Sequence, residues 1–164
     1  MRTTLFPSPV QFLDRLFYFL TQDGVQVDAF PLDHLCYRVE TVERYAQLCG
    51  TLAKQGALLS EKEIGGRPIA VFKLQTPFSY QERAISLLEL PAPKPGSAYP
   101  EGYEHAEFVV DEPLQDFMAR YLELDFDTKG LHKAVNPEVR LRYEGLSVKF
   151  HEHDLEYVIT ELDP

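Results

Sequence analysis

The sequence contains no tryptophan and only two cysteines, Cys36 and Cys49, among its 164 residues. Neither cysteine lies in a CxxC pair or another metal-binding spacing, and a chain of this length does not depend on one disulfide. We therefore expect both to be buried free thiols. A glycine-rich phosphate loop, a Ser-His-Asp order and a nucleophile elbow are also missing, which argues against the enzyme classes that these motifs mark.

Basic residues and long apolar runs are scarce. Lys and Arg number 16 against 26 Asp and Glu, so the formal net charge is −10. Nucleic acids attract proteins through Lys and Arg, and this balance therefore argues against nucleic-acid binding. The N-terminal stretch LFPSPVQFLDRLFYFL is broken by prolines and charges, and no apolar run approaches the ~20 residues that span a bilayer. The sequence predicts a cytoplasmic monomer or homodimer without a membrane partner.

What the sequence does have is a repeated opening. The segments DHLCYRV at residues 33–39 and EHAEFVV at residues 104–110 each place an acidic residue and a histidine at the start of an alternating apolar pattern. Such alternation predicts a strand. Each opening is followed by a helical pattern and then by a hairpin, which turns at Gly65-Gly66 in the first half and near Glu144-Gly145 in the second. A period this long indicates a duplicated module.

The pattern predicts an α+β fold in which two βαβββ modules follow an N-terminal helix. Ser8 caps this helix, and Leu13, Leu16 and Leu20 fall at helical spacing. In the second module a short strand is expected near residues 125–129. The prolines between residues 91 and 100 cannot enter a sheet interior. The predicted organisation is a helical extension at 1–32, a first module at 33–90, a proline-rich connector at 91–103 and a second module at 104–164.

Four motifs in this order, DHLCYRV, IGGRPIAVFKL, LLELPAPKPGSAYPEGYEHAEFV and LSVKFH, resemble the YecM-like family within the vicinal oxygen chelate superfamily. The similarity extends over residues 33–151. It implies that curled mixed sheets from the two modules enclose a shared cavity. It also implies a divalent metal ion in that cavity (zinc, iron, manganese or nickel), held by residues from the first and fourth strands of each module.

The resemblance also implies which residues hold the metal. His34 and His105 match the ligands of the first strands, and Glu89 matches the ligand of the fourth strand in module 1. The matching position in module 2 is Lys149, whose ammonium has no lone pair to offer a metal. His151, two residues further on the same face, is a candidate substitute. Without it, two histidines and one carboxylate still form a known metal-binding triad.

Other charged residues alternate onto strand faces that point toward the same cavity. Glu107 shares the face of His105 and is a candidate to fix its tautomer or to act as a base. Arg38, Arg67 and Lys149 either form salt bridges with carboxylates of the cavity or hold an anionic substrate. We take Glu107 and Lys149 as the candidate catalytic residues and Arg67 and Arg38 as candidate substrate-binding residues.

Two functional hypotheses follow from the resemblance and from its exception at Lys149. The first is a metal-dependent enzyme of the vicinal oxygen chelate type, with isomerase, lyase or dioxygenase chemistry on a small oxygen-rich and anionic substrate. The second is a non-enzymatic module that binds a small anion and has lost the metal, with Lys149 supplying the positive charge. The metal content of the purified protein separates the two hypotheses.

Overall fold

The computed structural model describes residues 6–97 and 99–164 of the chain. Its helices are α1 (Val10–Gln22), α2 (Val42–Ala53), α3 (Leu114–Ala119) and α4 (Leu155–Tyr157), the last continued by a wider turn at Val158–Leu162. Its strands are β1 (Leu32–Arg38), β2 (Gly56–Ile64), β3 (Arg67–Tyr80), β4 (Arg83–Pro91), β5 (Gly102–Val109), β6 (Glu138–Tyr143) and β7 (Leu146–His151).

The seven strands form one mixed sheet in the order β2-β3-β4-β1-β5-β7-β6. Within each half the first strand pairs in parallel with the last, β1 with β4 and β5 with β7. The halves meet at the centre, where β1 and β5 run antiparallel. This arrangement confirms the α+β fold of two repeated modules with an added N-terminal helix, and the curled sheet is continuous across both modules. We retain the predicted division at residues 33–90 and 104–164 as a proposal.

The second module is shorter by one strand than the sequence pattern predicts. Near residues 125–129 only an isolated bridge forms, between Asp127 and Arg140. The Asp127 side chain accepts a hydrogen bond from the backbone N–H of Lys129 (3.0 Å), and a 3-10 turn at Lys129–His132 follows. A side chain that bonds its own backbone two residues on favours a turn over a ladder, which accounts for the lost strand.

Strand alternation gives the two faces of the sheet different side chains, apolar on one face and mostly polar on the other. Leu35, Ala106, Val148 and Phe150 are fully buried and belong to one core with the apolar faces of α1, α2 and α3. Full burial of a Leu or Phe side chain stabilises the fold by roughly 1.5–3 kcal/mol. The intervening residues point away from the helices into a cavity, so the same alternation that builds the core also delivers polar side chains to the other face.

The N-terminal helix is joined to the second module. Leu13, Leu16 and Leu20 are buried in the common core, as their spacing predicts. Phe19 stacks on Tyr143 with ring centroids 4.8 Å apart. Within the described part of the chain, no helix is long and apolar enough to cross a membrane.

Candidate metal and substrate site

A cavity of about 450 Å³ lies on the sheet face opposite the helices, and side chains from both modules and the C-terminal helix line it. The central register explains why the modules share it, since β1 and β5 place His34 opposite Glu107 and Cys36 opposite His105. All the residues that the sequence singled out line this one cavity: His34, Arg38, Arg67, Glu89, His105, Glu107, Lys149 and His151. Whether they perform the roles assigned to them stays a prediction.

The two repeated histidines are buried and held in the same way. His34 is 0% exposed and His105 is 4% exposed. The Nδ1 atom of His34 contacts the Asp33 carboxylate at 2.7 Å, and the Nδ1 atom of His105 contacts the Glu104 carboxylate. An ionised carboxylate can only accept a hydrogen bond, so Nδ1 carries the proton in both rings. The acidic residue before each histidine therefore keeps the proton on Nδ1, so that in the neutral ring the lone pair is on Nε2.

Both Nε2 atoms face the cavity without a hydrogen-bond partner among residues 6–97 and 99–164. The Nε2 atom of His34 lies against the Glu107 carboxylate as an ion-pair contact, but not in hydrogen-bonding geometry. A buried imidazole nitrogen without a partner costs free energy unless a ligand satisfies it. An imidazole held by a carboxylate at one nitrogen and free at the other is the usual state of a metal-binding histidine. The donor set therefore fits a divalent ion.

The candidate ligand atoms of the described residues form three groups, one of Asp33, His34 and His151 and two that share His105. Atoms of His34, His105 and Glu107 lie within 4.8 Å of one another, and so do atoms of Cys36, Glu89 and His105. Glu89 also lies 3.8 Å from Nε2 of His34. Two ligands with bonds of about 2.1 Å to one ion are at most about 4.2 Å apart. The two histidines therefore face each other at nearly the separation that one ion requires, as the duplicated opening predicts.

Lys149 enters the cavity as an ion-paired cation. Its Nζ atom is 3.1 Å from a carboxylate oxygen of Glu138 and 3.7 Å from one of Glu107. Burial lowers the pKa of Lys149, but Glu107 and Glu138 outweigh burial and raise that pKa. The side chain therefore remains an ammonium and is neither a metal ligand nor a base. The pair with Glu107 agrees with the sequence analysis, whereas the closer contact with Glu138 was not foreseen.

His34 and Glu107 form a second ion pair. Burial lowers the pKa of His34, but Glu107, Asp33 and Glu89 together raise it to about 9. Burial raises the pKa of Glu107, but His34 and then Lys149 hold it well below its usual value. At neutral pH the imidazole is therefore protonated and the carboxylate is ionised. A metal that binds Nε2 of His34 must displace this proton.

His151 lines the cavity but presents a different group to it. Its Nδ1 atom contacts the side-chain amide nitrogen of Asn136. That amide is oriented by His153, whose carbonyl accepts from Nδ2 (3.1 Å) and whose N–H donates to Oδ1 (3.3 Å). The amide therefore donates to Nδ1 of His151. Burial lowers the pKa of His151, so the ring is neutral and its proton is on Nε2. In this tautomer His151 offers a hydrogen-bond donor rather than a lone pair.

Cations line the rim of the cavity. Arg38 stacks on Tyr99, with its guanidinium carbon 4.4 Å from the ring centroid, and lies 3.7 Å from Glu104. Arg67 donates to the carbonyl of Ile64 at 2.7 Å. A Cβ atom at Gly65 would lie 3.0 Å from Nη1 of Arg67 and 3.9 Å from Nζ of Lys94, so these two cations are neighbours.

Three participants were missed in the sequence. Cys36 follows His34 on the same strand face, and this alternation was a usable signal, but the thiol was taken for a core residue. Glu138 opens an edge strand, and Lys94 lies in the proline-rich connector. Neither position carries a periodic signal, because only the folded chain brings them to the cavity.

Comparisons with known proteins agree with this geometry. A family model described as YecM protein matches residues 2–135. Protein YecM of Escherichia coli (strain K12) is 30% identical over 155 residues, which cover 84% of this chain and 81% of that protein. An uncharacterised protein of Haemophilus influenzae is 27% identical over 152 residues, which cover 85% of this chain and 78% of that protein.

Solved structures share the fold. The structural-genomics Protein EC4020 superposes with a TM-score of 0.78 at 26% identity and covers 91% of this chain and 86% of its own. Streptomyces coelicolor methylmalonyl-CoA epimerase, in complex with 2-nitronate-propionyl-CoA, gives a TM-score of 0.54 at 12% identity and covers 74% of this chain and 96% of its own. At that identity the likeness shows the fold alone. The resemblance to the YecM-like family that the four motifs indicate is therefore confirmed by the family model and the E. coli relative.

Proposed function

The chain belongs to the YecM family, and from this premise we propose that it is a metal-dependent enzyme of the vicinal oxygen chelate type that acts on a small anionic substrate. One observation carries the proposal: two buried histidines face each other, each with Nδ1 held by a carboxylate and with Nε2 lacking a hydrogen-bond partner among the described residues. Structural histidines normally have both polar nitrogens satisfied. Nε2 atoms without a hydrogen bond at equivalent places in two modules, one of them held against Glu107 only as an ion-pair contact, are better explained by a shared ligand.

We assign His34, His105 and Glu89 as the protein ligands of a divalent ion. Glu89 is preferred to Glu107 because of its charge environment. Glu107 is neutralised by Lys149, whereas Glu89 makes no salt bridge with a lysine or arginine of the described residues. The Glu89 side chain is 21% exposed and lies 3.8 Å from Nε2 of His34, so an ion held by His34 would take the place of the imidazole proton as its compensating charge. When bound, the ion would act as a Lewis acid toward two adjacent substrate oxygens.

The chain's own residues would then transfer a proton. Glu107 is ionised and buried beside the ligand histidines, where the charge of His34 does most to hold its pKa down. His34 must be neutral to serve as a metal ligand, and Glu107 would then be a better base toward a substrate carbon or hydroxyl. Lys149 is protonated, and its ammonium can hold the carboxylate in place or stabilise negative charge that develops on the substrate. A base and a cation placed together favour isomerase or lyase chemistry among the outcomes open to this superfamily.

Residues of the rim would orient the substrate. Arg67 and Lys94 lie side by side and make no salt bridge with a described carboxylate, so an anionic end of the substrate would relieve their repulsion. The protonated Nε2 of His151 offers a hydrogen bond from the other side of the cavity. Arg38 is a weaker candidate, because Tyr99 and Glu104 already engage it. A cytoplasmic location and a monomer or homodimer remain predictions.

Metal content tests the proposal. The protein is purified without chelators and without a metal-affinity tag, and zinc, iron, manganese and nickel are measured by elemental analysis, with and without reconstitution. We expect near-stoichiometric metal in the parent protein and its loss in His34→Ala and His105→Ala. His132→Ala is the matched control, because His132 is exposed on the 3-10 turn and does not line the cavity. No metal in the reconstituted parent would overturn the proposal and favour the anion-binding module.

A further inference from the structure

Cys36 lies inside the cavity, between His34 and Arg38 on the inward face of β1. It is 1% exposed. It is paired with His105 in the register of β1 and β5, and with Glu89 in the register of β1 and β4. The two registers converge on one place, where the sulfur lies within 4.8 Å of ligand atoms of both Glu89 and His105. Sulfur, nitrogen and carboxylate donors therefore meet there.

The surroundings of Cys36 differ from those of a thiol that merely fills space. Most buried free cysteines pack as small apolar side chains. Cys36 is absent from the apolar cluster that its strand neighbours Leu35 and Tyr37 join. Its backbone is paired with both neighbouring strands, but its thiol is free and forms no disulfide. A polarizable sulfur that faces a carboxylate and an imidazole, outside the core, needs another explanation.

An independent observation points to a ligand at the same place. The Nε2 atom of His105 is buried and unpartnered, and Glu104 has fixed its lone pair toward the cavity. Glu89, the third member of the group, makes no salt bridge with a lysine or arginine of the described residues, and its contact with Nε2 of His34 is 3.8 Å long. Nε2 of His105 lacks a hydrogen-bond partner among the described residues and Cys36 is a free thiol, so one cation would engage all three donors of the group together.

We infer that Cys36 is a ligand of the bound metal, as a thiolate beside Glu89 and His105. The inference rests on the proposed function, because it concerns the same ion. As the sulfur–metal bond forms, the thiol proton leaves to solvent, and no electron is transferred. A thiolate is a soft ligand, and it selects zinc or iron(II) over manganese or magnesium, which favour oxygen ligands.

Cobalt(II) in place of the native metal tests the inference with a readout other than activity. Cobalt bound by nitrogen and oxygen absorbs only in the visible, whereas a cobalt–thiolate bond adds a sulfur-to-metal charge-transfer band in the near ultraviolet. We expect this band in the parent protein and its loss in Cys36→Ser, with the visible bands retained. Cys49→Ser is the matched control, since Cys49 lies in α2 away from the cavity and should leave both sets of bands unchanged.

The possible results separate the ligand role of Cys36 from the proposed metal-dependent function. Visible bands without a near-ultraviolet band in the parent, or a band that survives in Cys36→Ser, would overturn the ligand role of Cys36 and leave the proposed function standing. A parent protein that binds no cobalt would overturn both. Competition between zinc and manganese gives a second measurement that does not depend on cobalt. Cys36→Ser should lower the preference for zinc, and an unchanged preference would contradict the inference.

Discussion

The two modules repeat a backbone but not its side chains. In the first module β1 pairs with β4 so that His34 is opposite Leu87 and Cys36 is opposite Glu89. In the second module β5 pairs with β7 so that His105 is opposite Ser147 and Glu107 is opposite Lys149. The registers therefore make three positions equivalent: His34 with His105, Cys36 with Glu107, and Glu89 with Lys149.

Only the first of these positions holds the same residue in both modules. The histidine is kept together with the acidic residue that fixes its tautomer. At the other two positions module 1 offers a thiol and a carboxylate that no lysine or arginine of the described residues neutralises, whereas module 2 offers a carboxylate neutralised by an ammonium. Under the proposed function the modules would have different roles. Module 1 would supply most of the metal ligands, and module 2 would supply Glu107 and Lys149 for proton transfer.

The largest expected effect concerns the stability of the second module. Lys149→Met removes the cation that Glu107 and Glu138 share, so each carboxylate keeps only its contact with His34 or Lys133. The loss is therefore expected near the lower end of the about 3–5 kcal/mol that breaking a buried ion pair from one side costs. We expect urea denaturation of the metal-free protein to show a loss of this size. Glu89→Gln, at the equivalent position of module 1, should change the free energy of unfolding far less. Equal losses of stability in the two variants would show that both positions are structural, and would contradict the difference between Glu89 of module 1 and Lys149 of module 2.

A slightly smaller effect is expected from pH. Because the pKa of His34 is raised from 6.5 to about 9 in the fold, the folded protein binds that proton more tightly than the unfolded chain does. The resulting stability, on the order of 3 kcal/mol, is fully present below pH 6.5 and is lost as pH rises through about 9. Denaturation in the presence of a chelator across this range measures it. His34→Gln should flatten the profile, and a profile already flat in the parent would contradict the ion pair with Glu107.

The carboxylates of the two modules should differ in metal affinity. We expect Glu89→Gln to weaken zinc binding by about 100-fold, or about 2.7 kcal/mol, since it removes a charged ligand. Glu107→Gln should weaken it much less, because Lys149 already neutralises this side chain. Calorimetric titration of both variants with zinc measures the difference. The reverse order would make Glu107 the carboxylate ligand and would exchange the proposed roles of the two modules.

The features that sequence predicted well are those that depend on local periodicity. Alternation placed Val148 and Phe150 in the core and Lys149 in the cavity, and the structure agrees. The acidic residue before each histidine marked both openings, because the carboxylate and the imidazole interact within one dipeptide. Such local patterns predict the structure well, because successive side chains of a strand point to opposite faces whatever the strand packs against.

The missed features depend on contacts between distant segments. Glu138 comes near Lys149 because β6 pairs with β7. The contact is diagonal, since Glu138 is directly opposite His151 and Arg140 is directly opposite Lys149. The strand expected near residue 127 was lost to a side-chain hydrogen bond that the periodic pattern does not reveal. The position of Cys36 on the strand face of His34 can be read from the sequence. Buried thiols usually fill space in a core, however, and the sequence alone does not show that β4 and β5 bring Glu89 and His105 near this one.

The smallest expected effect separates free cations of the rim from a paired one. Arg67 and Lys94 line the cavity from the side of module 1 without a carboxylate partner in the described chain, whereas Lys133 lines it from the side of module 2 in an ion pair with Glu138. Arg67→Gln and Lys94→Gln should each weaken the binding of inorganic phosphate to the zinc-loaded protein by about three- to tenfold, the range of a partly exposed ion pair. Lys133→Gln is the matched control, and because Glu138 already neutralises this lysine, its removal should change phosphate affinity less.

The affinities are measured by calorimetry at two salt concentrations, since contacts between exposed charges weaken as salt rises. If all three variants lose affinity equally, the anion responds to the overall charge of the cavity, and the Gly65 turn has no special role in holding the substrate.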